Sequence, residues 1–365
     1  MHRRTFLQCG LGTILASPLF AAVRQDNLTA AAGVLTRAVD DGRLLAAALY
    51  VRQGTSEFSR SFGAARSPDD MFLLASITKP MTAAAVMTLY DQGHVDLDDA
   101  AQKFLPEFTG GGRETITIRQ LLTHVSGLPD QLPENETLRK QHADLAEFVE
   151  QAIRTPLLFE PGTRYSYSSM AILLASEIAQ RITGTNFLQF MDQVVFQPLE
   201  MNRSALGLGK FDVDDMIRCQ TEDAAPESGA GDPTASQWDW NSPYWRKLGS
   251  PWGGAHGSAA DVATFFGEFL HPSGKLMKPE TARLMIQSHN PDGLHPRGLG
   301  FDLGRRAASP GCSDQAFGHT GSTGTLAWAD PASDAICVVL TTLSAQAASP
   351  HPRRLASDLV AEAVS

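Results

Sequence analysis

The chain lacks an excess of positive charge. Its 365 residues include 30 lysines and arginines against 40 aspartates and glutamates, which leaves a formal charge of −10 at pH 7. No basic stripe runs along the sequence that could follow a phosphate backbone. Because nucleic-acid binding depends on such a stripe, we expect no nucleic-acid partner.

Cysteine is scarce, and its positions do not suggest a framework. The four cysteines, Cys9, Cys219, Cys312 and Cys337, are far apart and have no metal-ligand spacing. A disulfide-framed fold is therefore excluded, although a single pair is compatible with this spacing. Cys337 lies in the apolar run 335–340 and is predicted to be a small core residue.

Short motifs for metals and nucleotides are also missing. The sequence has no His-Glu-x-x-His, no Gly-x-Ser-x-Gly, no phosphate loop and no Gly-x-Gly-x-x-Gly. We therefore expect no metal and no cofactor. The remaining composition, 43% hydrophobic and 19% charged, is ordinary for a globular protein with one large domain or two interlocked ones.

The N-terminus has no apolar run long enough to span a bilayer. The modestly apolar residues 9–20 follow the basic pair Arg3-Arg4 and precede the small residues Ala21-Ala22. This order predicts a signal peptide over residues 1–22, resembling the twin-arginine type, before a domain at 23–365. We expect an exported protein, periplasmic or extracellular, with no stable membrane insertion after signal cleavage.

Apolar periodicity places strands at both ends of the chain and helices between them. Strands are predicted at 44–51, 56–62, 299–303, 325–329 and 335–343, and helices at 28–39, 97–105, 118–124, 145–153, 170–182, 187–196, 260–270, 279–288 and 353–364. The pattern favours an α/β (α+β) fold. One sheet is built from about 28–75 and 255–365 and flanked by helices, with a mainly helical part at about 76–254.

A loop-like segment at 220–257 carries four of the five tryptophans, Trp238, Trp240, Trp245 and Trp252. A long loop rich in aromatics in a compact domain is often functional. It can equally use its aromatic side chains to pack against itself. The sequence leaves both interpretations open.

The stretch Ser76-x-x-Lys79 carries the clearest chemistry. The residues after it, 81–90, are rich in helix formers, so Ser76 is expected at or just inside a helix N-terminus as a favoured cap, with Pro80 in the first turn. Residues three apart on a helix can meet. A lysine kept neutral by burial can take the serine proton, and the helix dipole favours the developing negative charge. Alone, the motif also fits a capping serine beside a solvated lysine.

Two later stretches, 159–169 and 317–325, contain polar residues at turns and strand edges. Tyr167 could carry a proton if nearby cations lower its pKa. The segment around His319 could place an exposed strand edge beside a substrate acyl group. In isolation, Tyr165 and Tyr167 also fit half-buried packing residues, and His319 fits an ordinary surface histidine.

Ser76-x-x-Lys79, Tyr167-x-Ser169 and His319-Thr320-Gly321, in this order, resemble the penicillin-recognising serine hydrolases of the class C β-lactamase type. That family includes D-alanyl-D-alanine carboxypeptidases, D-aminopeptidases and esterases. The resemblance extends to three further segments, 115–129, 253–261 and 318–331. It implies a β-lactamase-like fold with an antiparallel sheet.

Carried over by position, the resemblance implies a role for each motif residue. Ser76 would be the acylated nucleophile, Lys79 the amine that deprotonates it or tunes its partner, and Tyr167 the proton shuttle. Oxyanion and substrate contacts would come from the N–H groups of Ser76 and Ser322 and from Ser169, Thr320 and Gly321. His319 stands where other members carry lysine, and would give a weaker, pH-dependent positive field.

One position departs from the family pattern, because Ser169 replaces the usual asparagine of the second motif. A hydroxyl is shorter than an amide and has one donor only. This tilts the prediction toward ester or small-amide hydrolysis, while β-lactams and D-amino-acid peptides stay open as substrates. The alternative function is a catalytically weak binding or sensor protein that kept the fold. The oligomeric state is left open.

Overall fold

The structure is a computed structural model that describes residues 18–365, except for the side chains of residues 18–23 and Glu227. Most of the predicted signal peptide, including Arg3, Arg4 and Cys9, lies outside the described residues. The helices are α1 (Pro18–Asp40), α2 (Thr78–Asp91), α3 (Ile118–Leu122), α4 (Asn135–Lys140), α5 (Leu145–Arg154), α6 (Ser169–Thr183), α7 (Phe187–Met191), α8 (Pro243–Leu248), α9 (Ala259–Leu270), α10 (Pro279–Met285) and α11 (Pro352–Val364). The strands are β1 (Ala46–Gln53), β2 (Ser56–Gly63), β3 (Phe72–Leu73), β4 (Ser204–Leu206), β5 (Ala255–Gly257), β6 (Asp302–Leu303), β7 (Phe317–Gly321), β8 (Thr325–Asp330) and β9 (Ala335–Thr341).

The main sheet is antiparallel and has the strand order β2-β1-β9-β8-β7-β6. The N-terminal hairpin β1–β2 joins the C-terminal strands through β9, where Leu49 lies opposite Val339. The predicted sheet made from both chain ends is therefore confirmed.

Each face of this sheet buries a different core, because side chains alternate along a strand. On β9, Cys337 and Val339 belong to the cluster formed with α1 and α11. Ile336 and Val338 belong to the larger cluster, which includes α9 and the helical part of the chain. Cys337 is fully buried and unpaired, as predicted for a core residue.

Helix α2 lies at the centre of the larger core. All its residues from Thr78 to Leu89 are buried, and it packs against α6. A helix buried on all sides holds its first turn rigidly, because every direction of movement would disturb packed neighbours. The nucleophile candidate therefore directly precedes a helix that is fixed by packing along nearly its whole length.

Several local predictions were wrong. Residues 97–105 do not form a helix but a 3-10 turn at Ala101–Lys103, since Asp96 and Asp99 form side-chain hydrogen bonds that favour turns. The predicted loop 220–257 contains α8 and β5. The sequence also gave no sign of the small sheet β3-β5-β4, because strands of two or three residues are too short to show alternation.

No helix within residues 18–365 has both the length and the apolar character to cross a membrane.

Candidate active site

Ser76 lies in a 3-10 turn, Ala75–Ile77, between β3 and α2. The turn places Ala75 at φ 48°, a left-handed conformation that alanine rarely adopts and that is typical of strained functional turns. The prediction that Ser76 caps the helix is wrong, since neither the turn nor α2 has a side-chain cap. The Ser76 hydroxyl instead accepts a hydrogen bond from Lys79. Pro80 lies in the first turn of α2, as expected.

Four threonine hydroxyls hold this turn in place. From the β7–β8 hairpin, Thr323 and Thr325 donate to the carbonyls of Leu73 and Leu74 at 2.7 and 2.8 Å. From α2, Thr78 donates to the Ala75 carbonyl at 2.6 Å, and Thr82 donates to the Pro251 carbonyl, also at 2.6 Å. The turn is thus fixed between the sheet and the segment before β5.

Lys79 is 1% exposed. Its Nζ donates to Ser76 Oγ at 3.1 Å and to the Trp252 carbonyl at 2.9 Å. Burial lowers the pKa of Lys79 to about 7, and the nearby Arg297 lowers it as well, while Asp130 acts in the opposite direction. The amine is therefore substantially neutral near pH 7, which a proton acceptor for the Ser76 hydroxyl requires.

Tyr167 lies beside Ser76, and its ring centroid is 4.6 Å from Lys79 Nζ. Burial raises the pKa of Tyr167 far above its ordinary value, although the Arg297 charge and the nearby Ser76 hydroxyl act against this. The expectation that cations lower its pKa is corrected, because desolvation outweighs them. Tyr167 is a neutral hydroxyl at neutral pH, able to pass a proton on but not to hold a negative charge.

His319 is 2% exposed and has both ring nitrogens engaged. Arg297 Nη2 donates to Nε2 at 2.8 Å, and Nδ1 lies 2.8 Å from the Thr320 carbonyl, to which it donates. A guanidinium has no acceptor, so Nε2 must be unprotonated and the ring neutral. Burial, with Arg297, lowers the pKa of His319 to about 3. The prediction that His319 supplies a pH-dependent positive charge is therefore wrong.

Arg297 supplies the positive charge in its place. It is fully buried, pairs with Asp302 and lies with its guanidinium carbon 5.7 Å from the Tyr167 ring centroid. Burial alone would raise the pKa of Asp302, yet the Arg297 charge holds it well below its usual range. The sequence reasoning missed this pair, since Arg297 has no motif around it and precedes what reads as an ordinary strand.

Ser169 is the first residue of α6, and its side chain does not point freely into solvent. Its backbone N–H and its hydroxyl both donate to Asp130 Oδ1, at 2.9 and 2.6 Å. Nearby, the buried His124 accepts from the Ser168 N–H at 3.1 Å and lies against Tyr167, with ring centroids 4.6 Å apart. The segment 124–130 thus positions the start of α6. Asp130 was also missed, although it directly follows the recognised segment 115–129.

A cavity of about 220 Å³ opens beside these groups. Of the predicted site residues, it is lined by Ser76, Lys79, Tyr167, Ser169 and Ser322. The other predicted site residues, His319, Thr320 and Gly321, belong to β7 and are not among the described residues that line the cavity. A side chain at Gly321 would collide with the Leu74 carbonyl, so glycine allows β7 to approach the Ser76 turn. A larger cleft of about 790 Å³ between α7 and β4 holds none of the predicted site residues.

The tryptophan-rich segment 220–257 agrees with both interpretations that the sequence left open. All four of its tryptophans are buried, as a segment that packs on itself requires. Trp240, Trp245 and Trp252 also line the cavity, as does Asp130. Arg139, on the same wall, stacks over the Trp245 ring at 4.0 Å.

The part of the chain that the structure describes contains no group of three or more histidine, cysteine, aspartate or glutamate side chains arranged to hold a metal ion.

Comparison with known proteins assigns the chain to a family. A family model described as Beta-lactamase matches residues 29–362. Esterase EstB of Burkholderia gladioli is 32% identical over 191 residues, which cover 46% of this chain and 48% of the esterase. A putative D-alanyl-D-alanine carboxypeptidase of Escherichia coli K12 is 23% identical, over 89% of this chain and 84% of that protein.

The chain spans about half the length of the first curated relatives that it matches. Among solved structures, EstCE1, described as a hydrolase with promiscuous acyltransferase activity, superposes with a TM-score of 0.77. It is 22% identical, and the match covers 93% of this chain and all of that one. The fold is therefore β-lactamase-like, and the match of the family model over nearly the whole chain settles the assignment. The chain belongs to the beta-lactamase family of penicillin-recognising serine hydrolases.

Proposed function

We propose that this protein hydrolyses an ester or small amide bond through an acyl-enzyme on Ser76. One observation carries the proposal: a fully buried Lys79 lies in hydrogen-bond contact with Ser76, and its pKa is about 7. Serine becomes a nucleophile only when a base takes its proton, and a lysine with this pKa is such a base.

In the acylation step, the Ser76 hydroxyl proton moves to the neutral Lys79 amine while Oγ bonds to the substrate carbonyl carbon. The carbonyl oxygen becomes an oxyanion, for which the N–H groups of Ser76 and Ser322 are the candidate donors. The tetrahedral intermediate then expels the leaving group. That group takes its proton from the Lys79 ammonium through the Tyr167 hydroxyl, since Tyr167 lies beside both Ser76 and Lys79.

Deacylation repeats the sequence with water. Lys79, neutral again, accepts a proton from the water through Tyr167 as the oxygen attacks the acyl carbon. The bond between the acyl carbon and Ser76 Oγ then breaks, Oγ takes back the proton held by Lys79, and the acid is released. The buried Arg297 provides a fixed positive field that favours negative charge in both steps.

The relatives support ester and amide bonds as targets, since they are named as an esterase and a putative carboxypeptidase. Ser169 supports the smaller substrates among these. Its donors are both occupied by Asp130, so it offers no amide-type donor to a peptide or β-lactam. We also propose that the protein is exported, because of the signal-like residues 1–22.

The test is intact-protein mass during brief exposure to a short-chain aryl ester, a penicillin and a D-Ala-D-Ala peptide, with released product followed in parallel. We expect an adduct or turnover with the ester that disappears in Ser76→Ala. Full turnover by Ser76→Ala would overturn the mechanism. If neither the unmodified protein nor Ser76→Ala forms an adduct or turns over any of the three compounds, the alternative function, a binding or sensor protein, is favoured.

A further inference from the structure

We propose that Asp130 recognises a positively charged group of the substrate, so that the preferred acyl donors carry an ammonium group next to the scissile carbonyl. This inference rests on the proposed function and names its substrate class. Amino-acid esters and amides are the simplest members of that class.

The position of the Asp130 carboxylate is the first step. Oδ1 is held by the N–H and the hydroxyl of Ser169 at 2.9 and 2.6 Å, so the side chain has one orientation. Among the described residues, no hydrogen-bond donor is paired with Oδ2. The residue is exposed and lies on the wall of the same 220 Å³ cavity as Ser76. A substrate amine in this cavity therefore meets a carboxylate oxygen that is already oriented.

The second step is the charge of the cavity. Of the side chains that the structure describes, Asp130 is the one carboxylate on this wall. The cation Arg139 is 3% exposed, stacks on Trp245 and donates to the Trp238 carbonyl at 3.3 Å. An incoming cation thus finds its opposite charge at Asp130, while the tryptophans that line the same cavity suit an apolar or aromatic side chain.

The third step couples recognition to catalysis. The Asp130 charge raises the pKa of Lys79 and so opposes the neutral amine. A substrate ammonium beside Asp130 cancels this field, which favours neutral Lys79 when the substrate is bound. Other titratable or charged groups facing Lys79 and Asp130 are Arg139, Tyr167, Arg297, Asp302, His319 and His124.

The test compares matched aryl esters of D- and L-phenylalanine with the ester of 3-phenylpropanoic acid, which has the same shape without the amine. We expect at least one enantiomer to exceed the neutral ester about tenfold or more in kcat/KM, as for a charged hydrogen bond. The substrate amine is kept protonated by working below its own pKa. Rates without enzyme are subtracted.

Asp130→Asn is the informative variant, because the amide oxygen can still accept both Ser169 bonds. We expect it to bring the ratio of charged to neutral substrate to about one while the neutral ester is still hydrolysed. The acid limb of its pH profile should move to lower pH with the neutral ester. Glu134→Gln, which removes an equal charge outside the cavity, should change neither the ratio of charged to neutral substrate nor the acid limb of the pH profile.

Two results would overturn the inference. One is no preference for either charged enantiomer in the unmodified protein, and the other is a preference that survives in Asp130→Asn. Hydrolysis of the neutral ester, abolished by Ser76→Ala, would in both cases leave the proposed function standing. Loss of all turnover would instead point to failure of the proposed function.

Discussion

The pKa of Lys79 leads to a prediction on pH dependence that can be worked through from the structure. Burial moves the pKa from 10.5 to about 7. At pH 7 this raises the neutral fraction from about 0.03% to about a half, a gain of about 10³ in the active form. We expect kcat/KM for a neutral aryl ester to fall about tenfold per pH unit below about pH 7.

Lys79→Arg tests the assignment, because a guanidinium keeps the positive charge but cannot accept a proton. We expect a loss of about 10³ or more in kcat/KM, and a similar loss in Lys79→Met, which removes the charge as well. The assay is aryl-ester hydrolysis from pH 5 to 9 at constant ionic strength. An acid limb near pH 7 that persists in either variant, on activity that still depends on Ser76, would refute the reasoning.

The same pKa predicts an effect on stability. Because the native pKa lies below the unfolded one, the unfolded chain binds an extra proton between about pH 7 and 10.5, so stability rises with pH across this window. Lys79 thus costs about 4 kcal/mol at pH 7. Lys79→Met removes this cost, but it also removes the two hydrogen bonds of the amine, at about 1 kcal/mol each, which offsets part of the gain in stability. We expect that variant to be about 2 kcal/mol more stable at pH 7 and to lose its advantage by pH 10, as measured by urea unfolding.

Three further predictions concern Tyr167 and the groups around it. Arg297→Met should lower kcat/KM about 100-fold because the fixed charge is lost. His319→Gln, whose amide can accept from Arg297, should stay within about tenfold and keep the acid limb of the pH profile, since His319 is neutral throughout. Loss of the acid limb of the pH profile in His319→Gln would contradict the neutral state of His319. Tyr167→Phe should lower kcat/KM by about 10² to 10⁴ with unfolding in urea nearly unchanged, and unaltered turnover would remove Tyr167 from the proton path.

Much of the fold follows from local patterns. The apolar runs around Leu49 and Val339 predict strands because alternating or continuous apolar residues suit a sheet buried on both faces. The distribution of strands between the two chain ends predicted that both belong to one sheet, whereas their direct pairing as β1 and β9 is seen only in the structure. Patterns of this kind depend on neighbours in sequence, which is why short elements such as β3 and α8 escaped them.

The contact between Ser76 and Lys79 is also a local property. Three residues of helical turn bring the two side chains together, and the observed 3.1 Å contact agrees with that spacing. The assignment of Tyr167 and His319 to the same site came from the resemblance, since nothing between residues 79 and 319 indicates that these segments meet.

The electrostatics of the site were decided by the tertiary structure. A pKa depends on burial and on charges that are distant in sequence, so neither the near-neutral pKa of Lys79 nor the raised pKa of Tyr167 can be obtained from a motif. The neutral state of His319 requires Arg297, which lies 22 residues away in the chain. In the same way, the role of Ser169 changes once Asp130 is seen beside it. The sequence by itself determined which groups can react, and folding decided which of them carry charge.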